Sequence, residues 1–169
     1  MASIKVLNGK KRYHNSDARQ LLINYILNPS KAESGLAGYA YTHPIFPAES
    51  MNHIAQKYNK DSGIRIHHFI LAFEPDELDD PEIANDIAWM ITSYIAASYQ
   101  TVFAVHEDRP HLHIHFAFNS ISYVDGHRYY GKKAEYYALI SAVKQALHAH
   151  GLHALYEVSS KSENDIQDE

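Results

Sequence analysis

The segment His106-Glu107-Asp108-Arg109-Pro110-His111-Leu112-His113-Ile114-His115-Phe116-Ala117-Phe118-Asn119 decides how this chain folds and where its chemistry lies. Successive side chains of a β-strand point to opposite faces. Read as a strand, the run from His111 sets His111, His113 and His115 on one face and Leu112, Ile114, Phe116 and Phe118 on the other. The apolar face calls for a packed layer. Three imidazoles in register gain nothing from such a layer, which points to a metal ion or a phosphate on the opposite side.

Working outward, Gln100–His106 reads as a second strand, joined to the first by the Glu107–Pro110 turn. Arg65–Glu74 is a third by its β-branched and aromatic content, and Ser3–Val6 a short fourth. Gly35–His43 is a Gly- and Tyr-rich segment of weaker strand character, and Pro44–Gly63 reads as loop with room for a short helix. Asn15-Ser16-Asp17 offers N-caps for a helix to about Leu27, which Asn28-Pro29 stops. Asp80-Pro81 opens a long helix to about Tyr99, with Ile83, Ile87, Met90, Ile91 and Tyr94 on one stripe. A last helix spans about Lys133 to His150 and ends at Gly151. The order βαβαββα with an adjacent strand pair predicts an α+β fold. Its sheet is mainly antiparallel, with helices packed on one face and the other left open for a site.

A chain of 169 residues is expected to form one domain, taken as 1–156, followed by an acidic, disordered tail at 157–169. Without cysteine, disulfides and thiolate zinc sites are excluded, so imidazole and carboxylate are the available ligand chemistry. No signal peptide and no apolar run of membrane-spanning length is present, and a cytoplasmic protein without membrane insertion is expected. The net charge of −5 is unevenly spread. Residues 1–73 hold nine Lys/Arg against four Asp/Glu, while 74–86 hold seven acids and no base. A local basic face therefore remains open to a polyanion.

On a strand, His113 and His115 lie roughly 7 Å apart on one face. His106, across the turn, supplies a third imidazole, and three neutral imidazoles leave coordination positions free, as in catalytic metal sites. Asp108 shares the alternation of His106 and is placed to orient an imidazole or take up a proton. His111, nearer the turn, is expected to contact substrate or a ligand, and Asn119 either binds a phosphate or caps the strand end. His68 either lines the site or is a hydrogen-bonded structural histidine. Tyr25 cannot be singled out by composition among thirteen tyrosines.

Three segments together carry a resemblance. Asn24-Tyr25-Ile26-Leu27-Asn28-Pro29, then Arg65-x-x-His68-Phe69-Ile70-Leu71-x-Phe73, then His106-x-Asp108-(x4)-His113-x-His115-(x3)-Asn119 resemble, in order and spacing over residues 4–150, the P-type relaxases with a His-hydrophobe-His motif. The resemblance implies a palm-like antiparallel sheet with His-x-His on a central strand. It also implies site- and strand-specific nicking and rejoining of DNA at a transfer origin, initiating conjugation or mobilisation. Tyr25 would then be the nucleophile, forming a 5′-phosphotyrosine, with Asp108 orienting or activating, and His106, His113 and His115 would hold one divalent metal. Imidazoles by themselves favour zinc, nickel or copper; the resemblance implies manganese or magnesium, and manganese is expected. Implied partners are single-stranded origin DNA, an accessory DNA-binding protein and the coupling protein of a secretion system. Ala72 stands where similar sequences often carry serine, and the chain is short for this family.

For the DNA, Lys10, Lys11, Arg12, Lys132 and Lys133 are candidate phosphate contacts, and Tyr39, Tyr41, Tyr129 and Tyr130 candidate stacking platforms. Two other readings compete. His111-Leu112-His113-Ile114-His115-Phe116-Ala117 also fits the motif of histidine-triad nucleotide hydrolases and transferases. A metal-stabilised, non-catalytic DNA-binding module would use the same histidines without chemistry at Tyr25.

Overall fold

The computed structural model describes residues 1–7, 11–153 and 155–158. Strands run over Ala2–Val6 (β1), Ala37–Ala40 (β2), Ile66–Ala72 (β3), Thr101–His106 (β4), His113–Asn119 (β5) and Leu155–Val158 (β6). Helices run over Ala18–Ile26 (α1), Pro47–Lys57 (α2), Pro81–Ile95 (α3) and Lys133–Ala149 (α4), with a 3-10 turn at Lys11–His14. The six strands form one sheet in the order β2-β4-β5-β3-β1-β6, antiparallel except for the parallel pair β1/β6. The expected α+β class and mainly antiparallel sheet are present, and the His-x-His strand β5 is central.

The sequence periodicity explains why β5 is central. Ile114, Phe116 and Phe118 pack with Phe69 and Leu71 of β3 and Phe103 and Val105 of β4 into the main core beneath α3 and α4. Phe69 and Phe116 are register partners, stacked with ring centroids 4.5 Å apart. α3 starts where Asp80 accepts a hydrogen bond from the Glu82 N–H and Pro81 presets the first helical φ. α4 ends at Gly151 with φ +77°; its N–H bonds to the His148 carbonyl and that of Leu152 to Leu147. That pairing closes the last turn and needs a left-handed residue, which glycine supplies without strain.

The structure departs from the sequence expectations in four places. α3 buries Ala84, Ile87, Ala88, Ile91, Thr92 and Ile95, whereas Ile83, Met90 and Tyr94 of the expected stripe are exposed. The alanines let the helix sit close to the sheet, so small residues rather than the largest ones mark its inner face. Residues 47–57, expected to be mostly loop, form the eleven-residue α2, with Pro47 in its first turn. Helices also occur on both faces: α3 and α4 cover one, while α1 and α2 flank the other and close a second core around Leu22, Ile23, Ile26 and Met51. Glu157 and Val158, placed in the expected tail, belong to β6; residues 159–169 of that tail, like Lys10, lie outside the described residues.

His67 sits on the core face of β3, 1 % exposed and stacked on Phe118, with Nε2–H donating to the Tyr129 carbonyl at 3.0 Å. Burial pushes its pKa down to about 4. The unfolded chain takes up this proton near pH 6.5 while the folded chain refuses it until about 4. The unfolded state therefore binds more protons in that window, and stability drops by about 1.4 kcal/mol for each unit that the pH is lowered, for this one group. Urea unfolding between pH 6.5 and 4.5 is expected to show this decline, shallower in His67→Gln; equal slopes in the two proteins would exonerate His67.

Candidate active site

Antiparallel pairing of β4 with β5 puts His106 directly opposite His113 and Ala104 opposite His115. All three imidazoles stand on the face away from the main core, and Ala104 adds no bulk beside His115. One ring nitrogen from each of His106, His113 and His115 lies within 4.8 Å of the others. Ring centroids are 5.2 Å apart for His106 and His113, and 4.1 Å for His106 and His115.

Each ring has one nitrogen engaged by the protein. A carbonyl oxygen can only accept, so Nε2 of His106, 2.7 Å from the Ile26 oxygen, carries the proton and donates it there. That leaves Nδ1 of His106 fully buried and without a hydrogen-bond partner. An orphaned buried polar atom costs about 1–3 kcal/mol. Nδ1–H of His113 donates to the His111 carbonyl at 3.1 Å, which leaves Nε2, 3.5 Å from an Asp108 oxygen, as the nitrogen without a proton. Nδ1 of His115 lies 2.9 Å from Nε2 of His68. One nitrogen tied to the protein and one bare is the arrangement of imidazoles that ligate a metal. Charge state agrees. Burial pushes His106 down to about 4 and lowers His113. Burial, reinforced by the neighbouring histidines, holds His115 well below the usual range. The set suits a divalent cation and leaves positions for other oxygens.

Tyr25 is on the last turn of α1, half-buried, its ring 5.5 Å from that of His115 and 6.1 Å from that of His106. Burial first, and then the Asp108 carboxylate, raise its pKa, opposed by Arg109 and Arg12. Its hydroxyl therefore starts protonated at neutral pH. The Lys31 ammonium lies 5.4 Å from the Tyr25 ring centroid and donates to Asp108 Oδ2 at 3.3 Å. The other Asp108 oxygen is 3.5 Å from Nε2 of His113. Asp108 thus faces His113 and Lys31, not its sequence neighbour His106.

What holds α1 at this distance is Arg19, 1 % exposed. Its guanidinium donates to the Arg65 carbonyl and to Asn119 Oδ1 at 3.1 Å, and to Asn52 Oδ1 and Asp61 Oδ1 at 2.9 Å. Asn119 donates in turn to the Met51 carbonyl and to Gln100 Oε1. Asn119 is therefore engaged in tying α1, α2 and β5 together and is not brought to the histidines. Nothing in the sequence marks Arg19 among fifteen Lys/Arg, because its partners come from remote segments.

A cavity of about 520 Å³ runs from His113 and His115 across Ile70 and Ala72 to Ser3 and Lys5, with Tyr25, Leu21 and Leu22 on one wall and Arg12 and Arg109 at its rim. His68 and His111 also line it. His111, however, precedes β5 in an exposed turn and pairs with Glu74 at 3.3 Å, so the three-histidine strand of the nucleotide-hydrolase motif does not form. Lys132 and Lys133 stand at the start of α4, on the other layer. None of Tyr39, Tyr41, Tyr129 and Tyr130 lines the cavity: Tyr129 packs on the main core, and Tyr41 stacks on Tyr123. Tyr13, Lys31, Arg109, Lys5 and Glu74 were not legible beforehand, since each reaches the site from a different element.

Residues 25–152 match the family model of the MobA/VirD2-like relaxase nuclease domain. Among curated proteins, the chain is 28 % identical over 122 residues to the protein rlx of Staphylococcus aureus, covering 72 % of this chain and 36 % of that protein. It is 32 % identical over 75 residues to the group II intron-interrupted relaxase LtrB of Lactococcus lactis subsp. cremoris, 44 % of this chain and 13 % of LtrB. The chain thus spans about a third or less of the length of these relatives.

Replacing Arg19 by methionine removes the shared cation and leaves Asn119 Oδ1, Asn52 Oδ1 and the Arg65 carbonyl without its hydrogen bonds, while Asp61 keeps Arg65 at 3.0 Å. Buried acceptors left without a donor cost about 1–3 kcal/mol each, so a loss on the order of 3 kcal/mol is expected in urea unfolding. A loss below about 1 kcal/mol, the value of a surface pair, would mean that α1 is held by packing alone.

Proposed function

This chain belongs to the MobA/VirD2-like relaxase family, through its nuclease domain, and on that premise we propose that it nicks and rejoins one DNA strand at a transfer origin through a covalent bond to Tyr25. The observation that carries the proposal is the meeting of the Tyr25 ring with the three-histidine cluster at one end of a cavity rimmed by Arg12 and Arg109. Their convergence needs α1, β4 and β5 together.

In the proposed step the Tyr25 oxygen attacks the phosphorus of the scissile phosphodiester, forming a phosphotyrosine while the bond to the sugar 3′-oxygen breaks. The tyrosine proton passes to a base during attack, and the departing 3′-oxygen takes up a proton from solvent to end as a hydroxyl. Because Tyr25 is held protonated by burial and by Asp108, a base must take that proton. Asp108 takes that role in this proposal, supported by its electrostatic effect on Tyr25, with its charge balanced by Lys31. The phosphodiester energy is retained in the tyrosyl ester, so the freed 3′-hydroxyl can attack in reverse and rejoin the strand.

His106, His113 and His115 would hold one divalent ion, for which manganese is proposed, with zinc or nickel as competitors during purification. Bound there, the ion supplies Lewis-acid stabilisation of charge developing on the phosphate oxygens. Lys5, Arg12 and Arg109 give the DNA backbone its counter-charges, and the apolar floor at Ile70 and Ala72 accepts sugar or base. The partners proposed are origin DNA, an accessory DNA-binding protein and the coupling protein of a secretion system, with the reaction in the cytoplasm. No helix of the described residues is long and apolar enough to cross a membrane.

A denaturing gel tests the chemistry. Single-stranded oligonucleotides tiling the chain's own genetic neighbourhood are incubated with the protein, with manganese or with chelator. A protein–DNA adduct is expected with manganese, none with chelator, and none for Tyr25→Phe, which should still bind the same oligonucleotide in a native gel. An adduct persisting in Tyr25→Phe would remove Tyr25 as nucleophile. Metal and DNA binding without any adduct would instead support the non-catalytic module.

A further inference from the structure

Two of the three candidate ligands have their protonation pattern fixed by the backbone. His106 and His113 each donate to a carbonyl oxygen, which can only accept. Which nitrogen of each carries no proton is therefore settled before any metal arrives. His115 is different. Its Nδ1 meets another imidazole, Nε2 of His68, at 2.9 Å, with the rings stacked at 5.1 Å between centroids. His68 is 3 % exposed on β3 and sits two pairs along the ladder from the Ile70–His115 partnership, on the same face. Its Nδ1 is 2.9 Å from the hydroxyl of Tyr13, which is 2 % exposed and also accepts from Arg12 at 3.1 Å.

One proton lies between the two imidazoles, and this chain can carry it in two ways. In the first, His115 Nδ1–H donates to His68 Nε2, and His68 Nδ1–H donates to the Tyr13 oxygen. His115 then presents a bare Nε2. In the second, the Tyr13 hydroxyl donates to His68 Nδ1, and His68 Nε2–H donates to His115 Nδ1. The proton of His115 then sits on Nε2, which cannot coordinate a metal. Arg12 donates to the Tyr13 oxygen in either case; the second arrangement uses the Tyr13 hydroxyl proton and the first does not, so an ion on Nε2 of His115 is what selects the first. The candidate metal site therefore has one ligand whose readiness depends on a side chain outside the set.

We infer that His68 is a positioning residue for His115, acting as the acceptor that holds the His115 proton on Nδ1 and keeps Nε2 open to a divalent ion. This rests on the metal reading of His106, His113 and His115. Tyr13 completes the relay by accepting from His68, so two buried side chains on the 3-10 turn and on β3 set the state of a ligand on β5. A core histidine that merely satisfies its hydrogen bonds would leave metal binding untouched when replaced by a residue of similar bulk.

The full chain is titrated with Co²⁺, and the zinc-loaded protein is read by long-range ¹H–¹⁵N spectra that report which histidine nitrogen is protonated. In the wild-type protein His115 is expected as the Nδ1–H form. His68→Leu, which offers no acceptor, is expected to lose cobalt affinity by about 10–100-fold, the range for outer partners of metal-bound histidines. Its His115 should show a mixture of protonation forms. His68→Gln, whose amide oxygen can accept the same proton, should recover most of the affinity. A folded His68→Leu with wild-type affinity and an unchanged His115 pattern overturns the inference. Should His68→Leu fail to fold, Tyr13→Phe decides by the same two readings: weaker cobalt binding supports the relay, and unchanged binding overturns it. A wild-type protein that takes up no cobalt overturns the metal reading itself, and this inference with it.

Discussion

The pairing of β4 with β5 in the register His106↔His113 is the constraint on which everything else hangs. Side-chain direction in a strand has a period of two, so a slip by one residue would send the imidazoles into the phenylalanine layer and the phenylalanines into the cavity. Apolar burial on the core face therefore enforces the polar geometry on the other. The alternation that anchors Phe103, Val105, Ile114, Phe116 and Phe118 under α3 and α4 also brings three ring nitrogens within 4.8 Å. Rigidity on one side of the sheet is what allows reactive groups on the other to be held without wobble.

Holding imidazoles in a dry place has an energetic consequence. Burial depresses the pKa of His106, His113 and His115, so they stay neutral where exposed histidines would begin to charge. It also leaves Nδ1 of His106 with no hydrogen bond. The folded protein carries that cost at the centre of its site, a pattern expected where a bound cation or a phosphate returns the lost interaction. The surrounding polar groups are arranged in two sets: carbonyls and His68 behind the rings, and Asp108 with Lys31 in front of them.

The second requirement is a helix that delivers Tyr25 from another part of the chain. α1 is only nine residues long, too short to hold itself in place by intrinsic propensity. Its position comes from Leu22, Ile23 and Ile26 in the second core and from Arg19 bridging to Arg65 just before β3, to β5, to α2 and to Asp61. A further tie is the hydrogen bond from His106 to the Ile26 carbonyl, next to Tyr25. The candidate ligand and the candidate nucleophile are thus coupled through one backbone oxygen.

By itself the sequence determined the α+β class, the strand carrying His113 and His115, the partnership with His106, the start of α3 and the ends of α4, because these follow from periods of 2 and 3.6 and from local capping chemistry. It also carried the family resemblance, through Tyr25, His68 and the histidine motif. Only the tertiary structure decided that Asn119 serves the Arg19 network, that His111 turns out to Glu74, that α1 and α2 share the open face, and that His68 and Tyr13 stand behind His115. The physical reason is the same in each case. Hydrogen-bond partners up to a hundred residues apart, such as Arg19 and Asn119, meet only after the sheet has closed, and no periodicity along the chain encodes a contact made across it.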